Sequence, residues 1–167
     1  MTFRSLIALA ALHLVLVGTA TPGQARETAL SGYDPGTIVV KTSERRLYLV
    51  LADGQTLSYS VGVGKAGKTW AGVSVITGKF LKPAWSPPAE IKLDKPGMPD
   101  VFAGGSAKNP MGAAAMTLSG GEYAIHGTND PRSIGGFVSY GCIRMHNHDI
   151  LDLYQRVDVG TPVVVLR

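Results

Sequence analysis

The chain has 167 residues, the size of a single domain with one hydrophobic core. It carries 16 Lys and Arg residues against 12 Asp and Glu residues, and the formal net charge of +4 is scattered along the sequence. A small, scattered excess does not predict a face that binds nucleic acid, where clustered basic residues are expected. Cys142 is the only cysteine, which excludes an internal disulfide.

The N-terminus has the features of a secretory signal peptide. Arg4 precedes an apolar run from Leu6 to Val17, and the small-residue sequence at Gly23-Gln24-Ala25 provides a cleavage site. This run is shorter than the roughly 20 residues that a membrane-spanning helix needs. We therefore predict a signal peptide over residues 1–25, export to the periplasm, and no transmembrane anchor after cleavage. Residues 26–36 are predicted to form a flexible lead-in.

From Thr37 onward the sequence alternates between apolar and polar residues, as β-strands do. Asp53-Gly54 is a strong signal for a hairpin turn between the second and third predicted strands. In chain order, the predicted strands are TIVVKT, RLYLVL, TLSYSVGV, VSVITGKF, AMTL, YAIH and VVVL.

The stretch GVGKAGKT, from Gly62 to Thr69, matches the pattern of a phosphate-binding loop. That loop works only when a helix follows it, because the backbone N–H groups at the start of the helix face the phosphates. The residues that follow, TWAGVSVITGKF, are rich in β-branched side chains instead of strong helix formers. We therefore predict a turn between two strands and no nucleotide site.

Residues 81–112 contain six of the ten prolines in the chain. Proline lacks the backbone donor of a sheet ladder and disfavours helix in the residue before it, so this segment is predicted to contain neither a central strand nor a helix. Long loops in small domains are usually functional. We expect this loop to line a substrate groove together with Trp70, Trp85 and Tyr140, although large aromatic residues are more often part of a core.

One helix is predicted near the C-terminus, over NHDILDLYQRV, with Asn147 as its capping residue and Asp149 in its first turn. Its apolar residues recur at the spacing of a single buried helix face. They are Ile150, Leu153, Tyr154 and Val157.

The segment YAIHGTNDPRSIGGFVSYGCIRMHNHDI, residues 123–150, carries the candidate chemistry. Turn-forming residues at 128–136 allow the chain to return Cys142 beside His126. A cysteine next to an imidazole is an activatable nucleophile, because an imidazolium lowers the pKa of the thiol. Gly141 permits a sharp turn that aims the backbone N–H groups of Gly141 and Cys142 at an oxyanion.

The group that orients the imidazole stays open at this point. Asp130 and Asp149 are near in sequence, but Asp130 has the setting of a turn residue and Asp149 that of a first helical turn. A backbone carbonyl can hold an imidazole N–H equally well.

Two other interpretations of the same residues compete with this one. A lone cysteine is by default a small buried hydrophobic residue. His126, Cys142, His146 and His148 also have the donor atoms that suit zinc. However, the chain has no Cys-x-x-Cys pair, and the last two histidines flank the predicted helix start. We predict neither a metal nor an organic cofactor.

The sequence HGTNDPRSIGGFVSYGCIRMHNHDI resembles the signature of the L,D-transpeptidase catalytic domain, or YkuD-type domain, of the bacterial cell envelope. The stretches YSVGVGKAGKTWAGV, WSPPAEI and KNPMGAAAMTL are similar to other parts of that domain. The resemblance covers residues 37–167. It implies a mainly β fold, a sandwich or barrel-like domain with one or two short helices, and a catalytic domain over residues 37–167.

By this resemblance, Cys142 is the nucleophile, His126 is its base, and the Gly127 carbonyl orients the imidazole ring. Ser139 and Gly141 are expected to shape the turn around the oxyanion. These assignments are what the family implies for the matching positions of this chain.

Two further positions are assigned in the same way to substrate binding. Arg144 is expected to hold a carboxylate of the substrate. Tyr140 lies two residues before Cys142, at a position where many relatives have histidine and others vary, so the chain departs from the commoner family pattern there.

The function implied is formation of peptidoglycan cross-links during cell wall organisation. The expected substrates are peptidoglycan stem peptides: Cys142 attacks a donor tetrapeptide, D-alanine leaves, and an amine of a stem peptide or of an envelope protein resolves the thioester. Resolution by water would make the same site an L,D-carboxypeptidase, and loss of catalysis would leave a peptidoglycan-binding module. Members of this family are typically acylated by carbapenems.

Overall fold

The computed structural model describes residues 25–27 and 30–167. Apart from its last residue, the predicted signal peptide lies outside the described residues. Within the described chain no helix combines the length and the apolar character that a membrane crossing requires.

The described residues form a mainly β domain, as predicted. The strands are β1 (Ala25–Glu27), β2 (Ile38–Lys41), β3 (Arg46–Val50), β4 (Thr56–Gly64), β5 (Gly72–Leu81), β6 (Ala114–Leu118), β7 (Ala124–His126), β8 (Phe137–Ser139), β9 (Ile143–Met145) and β10 (Pro162–Leu166). The helices are α1 (Ala89–Asp94) and α2 (Asn147–Arg156), and a 3-10 turn spans Pro131–Ser133.

The sheet closes on itself like a barrel. Its strands follow the order β1-β4-β3-β2-β10-β5-β6-β7-β9, and β9 returns to pair with β4. Most neighbours are antiparallel, but β10 runs parallel to β2 and β7 runs parallel to β9. β8 lies off this path and runs parallel to β4. Closure leaves few free edges and encloses the main apolar core, which the inward residues of the strands fill. A smaller apolar cluster contains Val39, Tyr48 and Val50.

Each strand predicted from the alternating pattern has a counterpart among β2 to β7 and β10. The turn at Asp53-Gly54 joins β3 and β4, where Gly54 has a φ of 77°. GVGKAGKT occupies the end of β4 and the loop to β5, and no helix follows it. The predicted turn between two strands is therefore confirmed.

Helix α2 packs its predicted face onto the core. Ile150, Leu153 and Val157 are buried, and Tyr154 is partly buried against the same cluster. The cap prediction is wrong, because the capping residue is His146 and Asn147 is the first helical residue. The Asn147 side chain bonds instead to backbone groups of neighbouring segments.

The proline-rich segment contains helix α1, although we expected no helix there. The helix begins directly after Pro87 and Pro88. Proline excludes helix only in the interior, where an N–H donor would be lost, and it is tolerated at the start, where the first N–H groups have no intrahelical partner. The first residues of the expected flexible lead-in, Arg26 and Glu27, belong to β1 and pair with β4.

Candidate active site

The parallel pair β7–β9 positions the candidate catalytic residues. Ile125 lies opposite Ile143, and His126 lies opposite Arg144. Both isoleucines are buried in the core. Because successive side chains of a strand point to opposite faces, His126 and Arg144 project from the other face of the pair. The alternation in AIH and CIRM thus places two polar groups on one side and two core residues on the other.

Cys142 belongs to this polar face. It lies two residues before Arg144, so the same alternation directs its side chain to the side of His126. Cys142, His126 and Arg144 all line one cavity. The structure therefore brings together the residues that the sequence assigned as nucleophile, base and carboxylate-binding group.

The cavity has a volume of about 450 Å³. Ser139 and Tyr140 line it beside Cys142. The proline-rich segment supplies much of the remaining wall, as predicted, through Trp85, Pro88, Glu90, Ile91, Lys95, Met98, Pro110 and Met111. A second, smaller cavity of about 340 Å³, lined by Phe80 and Pro83 among others, also reaches Cys142. Cys142 therefore lies where the two cavities meet.

His126 is buried and is held by its own backbone neighbour. Its Nδ1 lies 2.6 Å from the carbonyl oxygen of Gly127. A carbonyl only accepts, so Nδ1 carries the hydrogen and Nε2 of the neutral ring is left as an acceptor. Burial, and then the positive charge of Arg144, lower the pKa of His126 from 6.5 to about 4. The ring is neutral near pH 7 and able to take a proton.

The Cys142 thiol is also held in its neutral form. Burial raises its pKa, and the backbone N–H of Ala124 and the charge of Arg144 only partly oppose this effect. We expected an imidazolium to lower the pKa of this thiol. The structure corrects that expectation, because burial penalises both members of an ion pair and favours the uncharged thiol and imidazole.

Ser139 and Gly141 form a tight turn in front of Cys142. The Ser139 hydroxyl donates to the Cys142 carbonyl oxygen at 2.6 Å and accepts from the Gly141 N–H at 3.1 Å. Gly141 has a φ of 118°, and a Cβ there would collide with the ring of Tyr123. The Gly141 N–H, which we expected to face an oxyanion, is instead bonded within the turn.

Trp70 supports this turn from behind. Its indole N–H donates to the Gly141 carbonyl oxygen at 2.9 Å, and its ring stacks on Tyr123 with 5.0 Å between centroids. Trp85 and Tyr140 line the cavity as expected, but Trp70 is absent from its lining. Sequence patterning gives no signal for this supporting role.

Arg144 has an unsatisfied donor next to Cys142. Its Nε is buried and has no hydrogen-bond partner. Burial lowers the pKa of the guanidinium, and the nearby Cys142 and Asp130 partly counter this effect. A buried charged donor without a partner is costly, so this group is suited to an anionic ligand.

Tyr140 connects the catalytic turn to helix α1. Its hydroxyl donates to Asp94 at 2.6 Å, and Nζ of Lys65 lies 3.8 Å from the centre of its ring. Lys65 also pairs with Asp94 at 3.1 Å. Tyr140 thus bonds the turn before Cys142 to the wall of the cavity.

The zinc alternative has no geometric support. In the part of the chain that the structure describes, no group of three or more His, Cys, Asp or Glu side chains is placed to hold a metal ion. His146 and His148 stack on each other, and His148 contacts Asp149.

With this geometry established, comparison with known proteins identifies the family. A family model described as the L,D-transpeptidase catalytic domain matches residues 35–165. The chain belongs to the L,D-transpeptidase family. Its relatives include "Probable L,D-transpeptidase ErfK/SrfK" of Escherichia coli (strain K12), 38% identical over 138 residues. "Probable L,D-transpeptidase YcfS" of the same strain is 36% identical over 139 residues. Each alignment covers 77% of this chain and 43% of the relative, so the chain spans less than half of either protein.

Solved L,D-transpeptidases share the fold. L,D-transpeptidase 3 from Mycobacterium tuberculosis, in complex with a faropenem-derived adduct, matches with a TM-score of 0.61 and 18% identity, over 78% of this chain and 60% of that one. LD transpeptidase LdtMt1, in complex with imipenem, matches with a TM-score of 0.60 and 17% identity, over 78% and 58% of the two chains. At these identities the likeness concerns the fold alone.

Proposed function

We propose that this chain is a periplasmic enzyme that cross-links peptidoglycan through an acyl-enzyme on Cys142. The observation that carries the proposal is the common face of Cys142, His126 and Arg144 in one cavity. Residues 1–25 would serve as the signal peptide and residues 37–167 as the catalytic domain. The family membership supports an L,D-transpeptidase activity.

The first half of the reaction acylates the cysteine. Sγ of Cys142 attacks the carbonyl carbon of the L-centre residue in a donor tetrapeptide stem while Nε2 of His126 accepts the thiol proton. Because the resting pair is neutral, proton transfer accompanies the attack. The C–N bond then breaks, His126 returns the proton to the departing amine of D-alanine, and a thioester remains.

The second half transfers the acyl group. An acceptor amine attacks the thioester carbonyl and gives a proton to His126. The C–S bond then breaks and the thiolate recovers that proton, which restores the neutral pair. The acceptor amine belongs to a second stem peptide or to an envelope protein, and water in its place would give an L,D-carboxypeptidase.

Arg144 and the Ser139–Gly141 turn serve the substrate and the transition state. The unsatisfied Nε of Arg144 supports binding of a substrate carboxylate beside the reacting carbonyl. The Ser139 hydroxyl bonds to the backbone of Gly141 and of Cys142, so this turn keeps the thiol in position during attack. The Gly127 carbonyl stabilises the imidazolium that forms after proton transfer.

The experiment that tests the proposal is intact-mass and product analysis of the mature protein with purified tetrapeptide muropeptides, next to Cys142→Ala. Loss of D-alanine with formation of dimers, absent from the variant, is the expected result. Loss of D-alanine without dimers would indicate the carboxypeptidase. No acyl-enzyme and no turnover would refute the enzyme and favour a peptidoglycan-binding module.

Acylation by a β-lactam is a second measurement of the same thiol. The solved relatives that carry a faropenem-derived adduct or imipenem support the expectation that a carbapenem acylates this chain at Cys142. A mass increase equal to one carbapenem, located on the peptide that contains Cys142, is expected. The Cys142→Ala variant should show none.

A further inference from the structure

We propose that Asn147 is a positioning residue that fixes the Gly127 carbonyl, and through it the His126 ring, in the orientation that proton transfer requires. The inference rests on the proposed role of His126 as the base. The sequence predicted that the Asn147 side chain caps helix α2, but in the structure it bonds to the backbone of Ala113 and Thr128.

The Asn147 amide bonds to backbone groups of two separate segments. Its Oδ1 accepts from the N–H of Ala113 at 3.0 Å and from the N–H of Thr128 at 3.1 Å. Its Nδ2 donates to the Thr128 carbonyl oxygen at 3.0 Å. The amide oxygen thus faces two backbone N–H donors, and the amide nitrogen faces a carbonyl acceptor. Exchanging the oxygen and the nitrogen would break all three bonds, so only this orientation of the amide fits.

One of these bonds acts on the peptide unit that holds the catalytic imidazole. The N–H of Thr128 and the C=O of Gly127 belong to the same planar trans peptide, in which the two groups point in opposite directions. Asn147 holds the N–H end, and the carbonyl end lies 2.6 Å from Nδ1 of His126. Rotation of this peptide plane would break both bonds, so fixing the N–H fixes the acceptor of the imidazole.

The close approach of Asn147 also explains two glycines. A Cβ at Gly112 or at Gly127 would collide with Oδ1 of Asn147. Packing therefore explains why residue 127 is glycine, since only a residue without a side chain leaves room for the Asn147 amide. The Gly127 N–H is bonded in turn to the Ala114 carbonyl at 2.9 Å, which anchors the other end of the segment.

Helix α2 provides the rigid base for the contact. Asn147 is the first helical residue, and Ile150 and Leu153 anchor the helix in the core. A bond to the Thr128 N–H also polarises the peptide and strengthens the Gly127 carbonyl as an acceptor. Asn147 should therefore favour the protonated imidazole that forms during reaction, in the same direction as the carbonyls of Gly127 and Pro110. The positive charge of Arg144 opposes that protonated form, and Cys142 faces the ring across the same cavity.

The test measures carbapenem acylation of Cys142 against pH in the wild-type chain, Asn147→Ala, Asn147→Asp and the control Asn129→Ala. Asn129 is a matched control because its amide makes a single bond to a backbone carbonyl, at Lys108, in an exposed loop. We expect Asn147→Ala to slow acylation by about 10- to 100-fold at saturating carbapenem, with little change in the concentration for half-maximal rate. Asn129→Ala should acylate at the wild-type rate.

The pH profile separates positioning from a structural effect. Loss of the polarised acceptor should move the acid limb of the Asn147→Ala profile to lower pH. Asn147→Asp keeps an acceptor for both N–H groups but loses the donor to the Thr128 carbonyl, so it should recover part of the rate. Its negative charge should move the acid limb to higher pH. If Asn147→Ala lowers the rate only in proportion to the unfolded fraction, with an unmoved profile, the proposal is wrong.

A measurement without turnover keeps this test apart from the proposed function. In ¹⁵N-labelled protein, the Nδ1–H resonance of His126 should be sharp in the wild type and in Asn147→Asp, and broadened or shifted upfield in Asn147→Ala. If Asn147→Ala does not fold, the acid limb of the Asn147→Asp profile decides, and a limb at the wild-type pH overturns the proposal. A wild-type chain that is not acylated would refute the function, whereas an unaltered resonance in a folded Asn147→Ala would refute the positioning role.

Discussion

Two sides of the same cavity are built by different physical means. The β7–β9 floor, formed by Ala124–His126 and Ile143–Met145, is backed by Ile125 and Ile143, which are 0% and 1% exposed. The α1 wall, formed by Ala89–Asp94, has no buried residue, and its Leu93 is 82% exposed. Core packing therefore positions His126 and Arg144, while the α1 wall of the cavity lacks such support.

Surface charges hold the α1 wall in place. Lys65 pairs with Asp94, Lys68 pairs with Glu90, and the Tyr140 hydroxyl also bonds to Asp94. Both lysines come from the GVGKAGKT loop, so the residues that mimic a phosphate-binding motif have a structural use. Exposed pairs of this kind are weak and are screened by salt. We therefore expect the β7–β9 floor to be rigid and the α1 wall to move more easily.

Truncation of a buried side chain in the β7–β9 floor should cause the largest loss of stability. Ile143→Ala removes a buried side chain between the core and the catalytic face, and such changes cost about 2–5 kcal/mol in the free energy of unfolding. Urea denaturation would measure this loss. The matched change on the wall, Leu93→Ala, should stay within about 0.5 kcal/mol because the side chain is exposed. Equal losses in the two variants would contradict the comparison.

Acid should destabilise the floor through His126. Its pKa is lowered from 6.5 to about 4 in the folded chain, so between these values the unfolded chain binds a proton that the folded chain does not. Stability is complete above pH 6.5 and is lost as the pH falls toward 4, by at most about 3 kcal/mol from this group. Urea denaturation at a series of pH values measures the slope.

The His126→Gln variant should lose that part of the pH dependence, since it removes the titrating group. His148→Gln is the control, because His148 is exposed at the start of α2. A slope that persists in His126→Gln would assign the acid sensitivity to other groups.

Removal of the support behind the catalytic turn should have a smaller effect. Trp70→Phe keeps an aromatic ring for stacking on Tyr123 but loses the N–H bond to the Gly141 carbonyl, which is worth about 1 kcal/mol. We expect a slower carbapenem acylation of Cys142 with a modest decrease in stability. An unchanged acylation rate would show that the turn does not need this bond.

Loosening of the wall should have the smallest effect on stability. Lys65→Met removes the pair with Asp94, and we expect almost no change in the midpoint of thermal unfolding but faster hydrogen exchange in residues 89–94. High salt should accelerate exchange in the same residues of the wild type and leave residues 124–126 protected. Protection of the wall that does not respond to salt would contradict an electrostatic attachment.

The family motif and the alternating patterns determined much of this protein from sequence alone. Local sequence patterns predict seven strands, the Asp53-Gly54 hairpin and the buried face of α2. The strand and helix patterns extend over several residues, and their apolar positions agree on which face is buried. The cavity wall around Trp85 also follows, because a proline-rich segment cannot enter the sheet. Local propensity and patterning agree in these segments, and for that reason the sequence is sufficient to predict their structure.

Only the tertiary structure decided the features that depend on contacts between distant segments. β8 and β9 were not among the predicted strands, and they form through pairing with distant segments: β8 pairs with β4, and β9 pairs with β4 and β7. The neutral state of Cys142 and His126 follows from burial, which no local pattern reports. Asn147 has the sequence context of a helix cap, yet its amide bonds to Ala113 and Thr128, because closure of the sheet brings those backbone groups to the start of α2.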